Sequence, residues 1–192
     1  LGDVAVAANA VLLNFLMLIS YGLDGFAYAV EAMVGRAIGQ RDRQGLREAI
    51  VLNLGWALLI ALTFSLLFAV GGSRLIAHIT DLPAVIAAAN AQLPWLIAMP
   101  LLAVWCFLLD GVFIGATRAR EMRNSMLVAA LCGFFPVWWL CQGWGVAALW
   151  AAMAALMAGR GLTLGWLCWL LERDGRLLHS AHGVGAAQQT SS

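Results

Sequence analysis

Residues 20–35 read SYGLDGFAYAVEAMVG, and Asp24 and Glu31 are the only charged side chains in that run. It lies inside an apolar stretch over residues 4–34, longer than the about 20 residues that cross a bilayer. Composition says which solvent that stretch meets. Of the 192 residues, 63% are hydrophobic and 11% charged, with a mean hydropathy of +0.88. Soluble domains carry about 25% charged residues, so the chain is expected to be an all-α polytopic membrane protein. Asp24, Tyr28 and Glu31 recur at i, i+4 and i+7 and so share one helix face. In a spanning helix that face looks at protein or at a water-filled cavity, not at lipid.

Four further windows have spanning length, at about 49–70, 93–114, 126–141 and 145–171. Pro94 and Pro100 lie early in the third span and Pro136 inside the fourth, where they predict kinks. Nine arginines flank the spans on one side: Arg36, Arg41, Arg43, Arg47, Arg118, Arg120, Arg123, Arg173 and Arg176. Only Arg74 lies in a loop on the other side, which puts the arginine-rich ends in the cytoplasm. The second and third spans are expected to be joined by a long loop over residues 71–92. A short interfacial helix would start in it after Asp81, a candidate N-cap. Residues 1–176 form one unit on this reading, and 177–192 a disordered cytoplasmic tail that holds His179 and His182.

Other classes find little support. Cys106, Cys132, Cys141 and Cys168 all lie in apolar stretches without CxxC spacing, which reads as free thiols. A net charge of +1 gives no sign of a nucleic-acid partner. No charged segment or cleavage site precedes the first apolar run, so no signal peptide is expected. Five spans is an odd number for transporters built from paired repeats, and with Leu1 at the start it suggests missing upstream helices.

Asp24, Glu31, Asp110 and Arg160 are the ionisable residues within spans. Each costs about 2.5–3.5 kcal/mol at the bilayer centre. Arg160 is nearest to mid-span, whereas Glu31 is about one turn from the cytoplasmic end and partly reaches water. Two readings are open. In one, the acids pair with Arg160 and hold helices together. In the other, three acids against one arginine leave uncompensated carboxylates, which bind a cation or take up a proton along a transport path. Leu23-Asp24-Gly25 recurs as Leu109-Asp110-Gly111. Gly35/Gly39, Gly111/Gly115 and Gly161/Gly165 have the GxxxG spacing of closely packed helices. Trp138, Trp139, Trp144 and Trp150, and toward the other end Trp166 and Trp169, read as interfacial belts.

Three stretches carry a resemblance: LGDVAVAANAVL at 1–12, YGLDGFAYAVEAMVGRAIGQRD at 21–42 and WCFLLDGVFIGATRAREMRNSM at 105–126. They resemble the C-terminal half of multidrug and toxic compound extrusion (MATE) transporters, in particular the DNA-damage-inducible protein F subfamily. The resemblance implies a twelve-helix fold of two six-helix lobes, of which the five spans here resemble helices 8–12. It implies a multi-pass protein of the bacterial cytoplasmic (inner) membrane that exports organic, often cationic compounds in exchange for H⁺ or Na⁺. No cofactor beyond that coupling ion and no enzymatic activity are implied. The partners would be the organic substrate, the coupling cation, the bilayer and the missing N-terminal lobe. Asp110 matches a cation-site aspartate of the family's tenth helix, the one place where Na⁺ would bind. Asp24 and Glu31, with Tyr28 between them, match an acidic motif of the eighth helix. The other readings are a lipid-linked precursor flippase of the same superfamily, an intramembrane aspartyl protease and a non-transporting scaffold fragment. A flippase would carry more cavity cations than Arg160 alone, and the protease signature GxGD is absent.

Overall fold

The computed structural model describes residues 2–177. Helix α1 (Asp3–Gln40) is followed by α2 (Arg43–Ile79), α3 (Pro83–Gly115), α4 (Ala119–Ala129), α5 (Phe135–Leu140) and α6 (Val146–Arg173). A π turn at Ala130–Phe134 joins α4 to α5, so residues 119–140 form one helical run. No strand occurs among the described residues. Four helices, α1, α2, α3 and α6, are each long and apolar enough to cross a membrane. The fifth crossing expected from sequence is the run through α4 and α5, about 33 Å long at 1.5 Å per residue. Pro136 lacks the N–H that the preceding turn would use, and Gly133 lies close to the Ala155 carbonyl of α6. The widened turn stands where those two constraints meet.

The expected 71–92 loop is corrected. Residues 71–79 continue α2, residues 83–92 begin α3, and only 80–82 intervene. No separate interfacial helix forms, and Leu82 rather than Asp81 is the N-cap. Pro83 occupies the first turn, where its missing N–H costs nothing. Gly72 is held within α2 by packing against Leu93. The helices therefore outrun their hydrophobic spans: α2, at 37 residues, is about 55 Å long against a hydrocarbon core of about 30 Å.

Contacts fix the topology. Asn53 meets Met33 and Phe68 meets Phe15, so α1 and α2 are antiparallel. Ser65 donates to the Ile97 carbonyl (2.7 Å), so α2 and α3 are antiparallel. Gly111 and Gly115 face Ala27 and Glu31, so α3 lies parallel to α1. Cys106 donates to the Met157 carbonyl, so α3 lies parallel to α6. Helix α3 is the hub. Its two internal prolines, Pro94 and Pro100, remain within one continuous helix.

The arginine-rich ends of α1, α3 and α6 stop in the same way. Arg41 (φ 55°), Thr117 (φ 57°) and Gly175 (φ 67°) adopt the left-handed conformation. In each case the next N–H turns back to a carbonyl five residues earlier: Asp42 to Ala37, Arg118 to Phe113 and Arg176 to Leu171. Glycine does this freely, whereas an L side chain costs about 1–2 kcal/mol there. Arginines then tie the ends together. Arg43 donates to the Glu172 carbonyl (2.7 Å), Arg47 pairs with the Glu172 carboxylate, and Arg118 donates to the Arg176 carbonyl (2.9 Å). Leu177, assigned to the tail by sequence, is buried with Leu46, Phe113 and Leu171. The rest of the expected tail, with His179 and His182, lies outside the described residues.

Candidate functional site in the mid-span layer

Two apolar clusters stack along the bundle. One includes Phe15, Ile19, Leu23, Phe68, Met99 and Val104. The other includes Val30, Val34, Val112, Phe113 and Leu164. Asp24 on α1 and Arg160 on α6 fall between them, with Asp110 of α3 at the edge of the second. A polar layer at mid-depth is where burial of charge costs most, so its contacts decide what it can do.

Arg160 meets Asp110. Its Nη2 donates to Asp110 Oδ2 at 2.5 Å, and both side chains are mostly buried. The local sequence explains the approach. Gly161, one residue after Arg160, lies against Trp105 of α3, where even an added methyl would be tight at 3.0 Å. Gly111, one residue after Asp110, turns to the opposite side, where a methyl would run into the Ala27 carbonyl and Val30. Asp110 thus points at α6 while its neighbour presses on α1. One turn away, Cys106 donates to the Met157 carbonyl (2.9 Å) and repeats the same register. One turn on the other side, Ser125 of α4 and Thr163 of α6 share a hydrogen bond of 2.5 Å, and Thr163 also reaches the Gly159 and Arg160 carbonyls. The Arg160 turn is therefore held from two helices.

The pair is not saturated. Asp110 Oδ1 and Arg160 Nε are both buried without a hydrogen-bond partner. A buried carboxylate oxygen with free lone pairs is a place for a proton or a cation.

The other sequence candidates sit differently. Asp24 is half-buried and forms no ion pair among the described residues. The pairing of Asp24 with Arg160 held open by sequence is therefore not found. Glu31 is also half-buried and unpaired, its backbone pressed against Gly115. Tyr28 is 70% exposed, so the Asp24–Tyr28–Glu31 face lies at the border of this bundle rather than inside it. Of the GxxxG pairs, Gly111/Gly115 makes the tight crossing. A methyl added at Gly39 would meet nothing within 4 Å, and one at Gly165 would make only an ordinary contact with Leu109. All four cysteines are free.

Trp150 is corrected: it is not a belt residue but is buried, and its Nε1 donates to Asn9 Oδ1 at 3.0 Å. Trp138, Trp139, Trp144, Trp166 and Trp169 are exposed, as a belt requires. Sequence reading also passed over Asn9, Ser125, Thr163 and Glu172. Asn9 carried a signal, an amide in an apolar run, for which a partner across helices is favoured in lipid.

A bundle of long apolar helices around one buried, unsaturated charge pair defines a polytopic membrane protein. The chain belongs to the MatE family, whose model matches residues 1–139. Asp24, Glu31 and Asp110 fall inside that match and Arg160 outside it. The chain is 45% identical over 165 residues to the DNA damage-inducible protein F of Escherichia coli (strain K12), covering 85% of this chain and 36% of the relative. It thus spans about a third of that protein's length. In fold it is similar to the crystal structure of the eukaryotic MATE transporter AtDTX14, with a TM-score of 0.80 at 15% identity, over 92% of this chain and 40% of that one.

Proposed function

We propose that the chain is the second-lobe portion of an antiporter that exports organic, often cationic compounds in exchange for H⁺ or Na⁺ across a bacterial inner membrane. Its partners on this reading are the organic substrate, the coupling cation, the bilayer and a first lobe of the same transporter. The observation that carries the reading is the Asp110–Arg160 pair with Asp110 Oδ1 buried and left open. Arrival of a proton or Na⁺ at Oδ1 neutralises Asp110 and weakens its hold on Arg160. The α3–α6 contact then has two states, and the coupling ion biases which is populated. Asp24 and Glu31, on the border face of α1 with Tyr28, add negative charge where an organic cation would pass. The arginine-rich ends of the helices face the cytoplasm. A lipid-linked precursor flippase is disfavoured, because Arg160 is the one basic side chain at mid-span among the described residues and Asp110 already holds it.

The test is Asp110→Asn in the full-length transporter. Asparagine keeps size and hydrogen bonding and removes the titrating charge. Cells carrying it should accumulate a fluorescent organic cation as vector controls do, at membrane abundance equal to wild type. Wild-type efflux at equal abundance rejects the coupling role. The bond itself favours a second reading, in which the pair only ties α3 to α6. Double neutralisation, Asp110→Asn with Arg160→Gln, separates the two: a structural pair regains stability and efflux, and a coupling pair regains stability alone.

A further inference from the structure

A surface groove of about 700 Å³ lies away from the mid-span layer, at the elbow between α1 and α2. Its polar rim holds Arg36 and Gln40 of α1 and Arg47 of α2. Below the rim it is apolar, with Met33, Val51 and Leu52 as walls. A second groove of about 490 Å³ shares Val51 and Leu52 and continues along α2 past Gly55 to Trp56 and Leu59.

The spacing makes this one surface. Arg47, Val51, Gly55 and Leu59 recur every fourth residue, with Glu48, Leu52 and Trp56 beside them, on a single face of α2. Val51, Leu52, Trp56 and Leu59 are all more than half exposed. Gly55 leaves a notch in that row, and a methyl added there would touch nothing within 4 Å. From Arg47 to Leu59 the helix rises about 18 Å. One leaflet of a hydrocarbon core is about 15 Å deep, so the row reaches from the head-group level to about mid-membrane.

We infer that this elbow binds one anionic glycerophospholipid, with its phosphodiester between Arg36 and Arg47 and one acyl chain in the notch at Gly55. Charge supports the assignment. The groove sets Arg36 and Arg47 beside Asp42 and Glu48. With Arg41 and Arg43 adjoining in sequence, residues 36–48 hold four arginines against two acids, a net charge of +2 opposite in sign to a phosphodiester. The two local carboxylates are already engaged: Asp42 Oδ1 caps α2 by accepting from the Gly45 N–H (3.0 Å), and Glu48 accepts from Gln44 (2.8 Å). Arg36 makes no ion pair among the described residues, and Arg47 commits only its Nε to Glu172. Guanidinium nitrogens in that arrangement suit phosphate oxygens, and basic pockets between spanning helices are where anionic head groups settle.

The experiment uses the chain extracted from membranes in mild detergent and native mass spectrometry. The probes are dioleoyl phosphatidylglycerol, dioleoyl phosphatidylcholine and glycerol phosphate. One phosphatidylglycerol should be retained, phosphatidylcholine about tenfold less, and glycerol phosphate not at all, since the notch supplies part of the binding. Arg36→Gln combined with Arg47→Gln should lower phosphatidylglycerol retention about tenfold. Gly55→Leu fills the notch without altering charge or helix packing and should lower it as well. Arg74→Gln, at the far end of α2, should change nothing. Equal retention of the two lipids, or phosphatidylglycerol binding undiminished by both elbow variants, overturns the assignment. So does crosslinking to protein rather than lipid from a benzophenone side chain placed at Leu52, which would give the groove to a protein partner.

Discussion

Arg160 and Arg47 each reach across the bundle to a carboxylate on another helix, but at different depths. The Arg160–Asp110 pair lies between two apolar clusters with both side chains mostly buried. In the Arg47–Glu172 pair, at the arginine-rich end, the Arg47 side chain is 69% exposed. At mid-depth neither partner can find water, so removal of one strands the other. At the end Arg47 has water as an alternative, although Glu172 is as buried as Asp110. The same two functional groups therefore make a pair that the fold depends on in one place and a modest tie in the other. Only the deep pair can act as an ion-sensitive contact, because only there does adding one positive charge change the balance by several kcal/mol.

The largest expected effect follows from that depth. Arg160→Leu leaves Asp110 buried without its cation and should destabilise the bundle by about 3–5 kcal/mol. Thermal unfolding in detergent measures it. Adding Asp110→Asn should restore most of the loss, whereas adding Asp24→Asn should not, since Asp24 has no contact with Arg160. An unchanged melting temperature for Arg160→Leu would mean that the two depths are equivalent, and the comparison would fail.

Next come the glycines on the opposite side of α3. In lipid, helices gain little from hiding apolar surface from one another, so close approach of small residues carries much of the contact between them. Gly111→Ala places a methyl against the Ala27 carbonyl, a backbone atom that cannot rotate away, and should cost about 1–3 kcal/mol. Gly25, in the matching Leu-Asp-Gly of α1, has open space around it. Gly25→Ala should be neutral or stabilise by up to about 1 kcal/mol through helix propensity. Equal destabilisation by both would show that the two tripeptides are equivalent, contrary to their packing.

Much of this was legible in the chain, and what was missed has physical causes. Four long apolar helices follow from length and hydropathy, which are local properties, and the fifth expected span falls on the helical run through α4 and α5. Arg160 was expected to meet an acid, because a mid-span guanidinium keeps its charge, and only three acids lay within spans. Which acid it would be could not be read, since α3 and α6 meet through Gly161 and Trp105, and sequence spacing does not show that register. The segment at 71–92 looked like a loop because Gly71, Gly72, Arg74 and His78 are polar or flexible. A helix that outruns the hydrocarbon core carries such residues at little cost, since its end is already in the head-group region. Trp150 read as a belt residue because its partner, Asn9, stands 141 positions away. The elbow groove has no sequence signal beyond arginines at a helix end. It is made by the angle at which α2 leaves α1.

The smallest effect is expected at the outer of the two pairs. Glu172→Gln removes the carboxylate that Arg47 meets, but it leaves the Glu172 backbone carbonyl in place, and Arg43 still donates to it. The helix end also keeps its turn, in which the Arg176 N–H reaches the Leu171 carbonyl. What is lost is one ion pair with an arginine in water, worth about 0.2–1 kcal/mol. Salt gives the sharper measurement. The difference between wild type and Glu172→Gln should shrink as ionic strength rises from about 0.01 M to about 1 M, because the screening length falls from about 30 Å to about 3 Å. The loss in Arg160→Leu should hardly change over the same range of a salt with a bulky organic cation, since burial shields the Asp110–Arg160 pair from screening. If the two variants respond to salt alike, the Asp110–Arg160 pair is screened as a surface pair is, and the contrast between the two pairs fails.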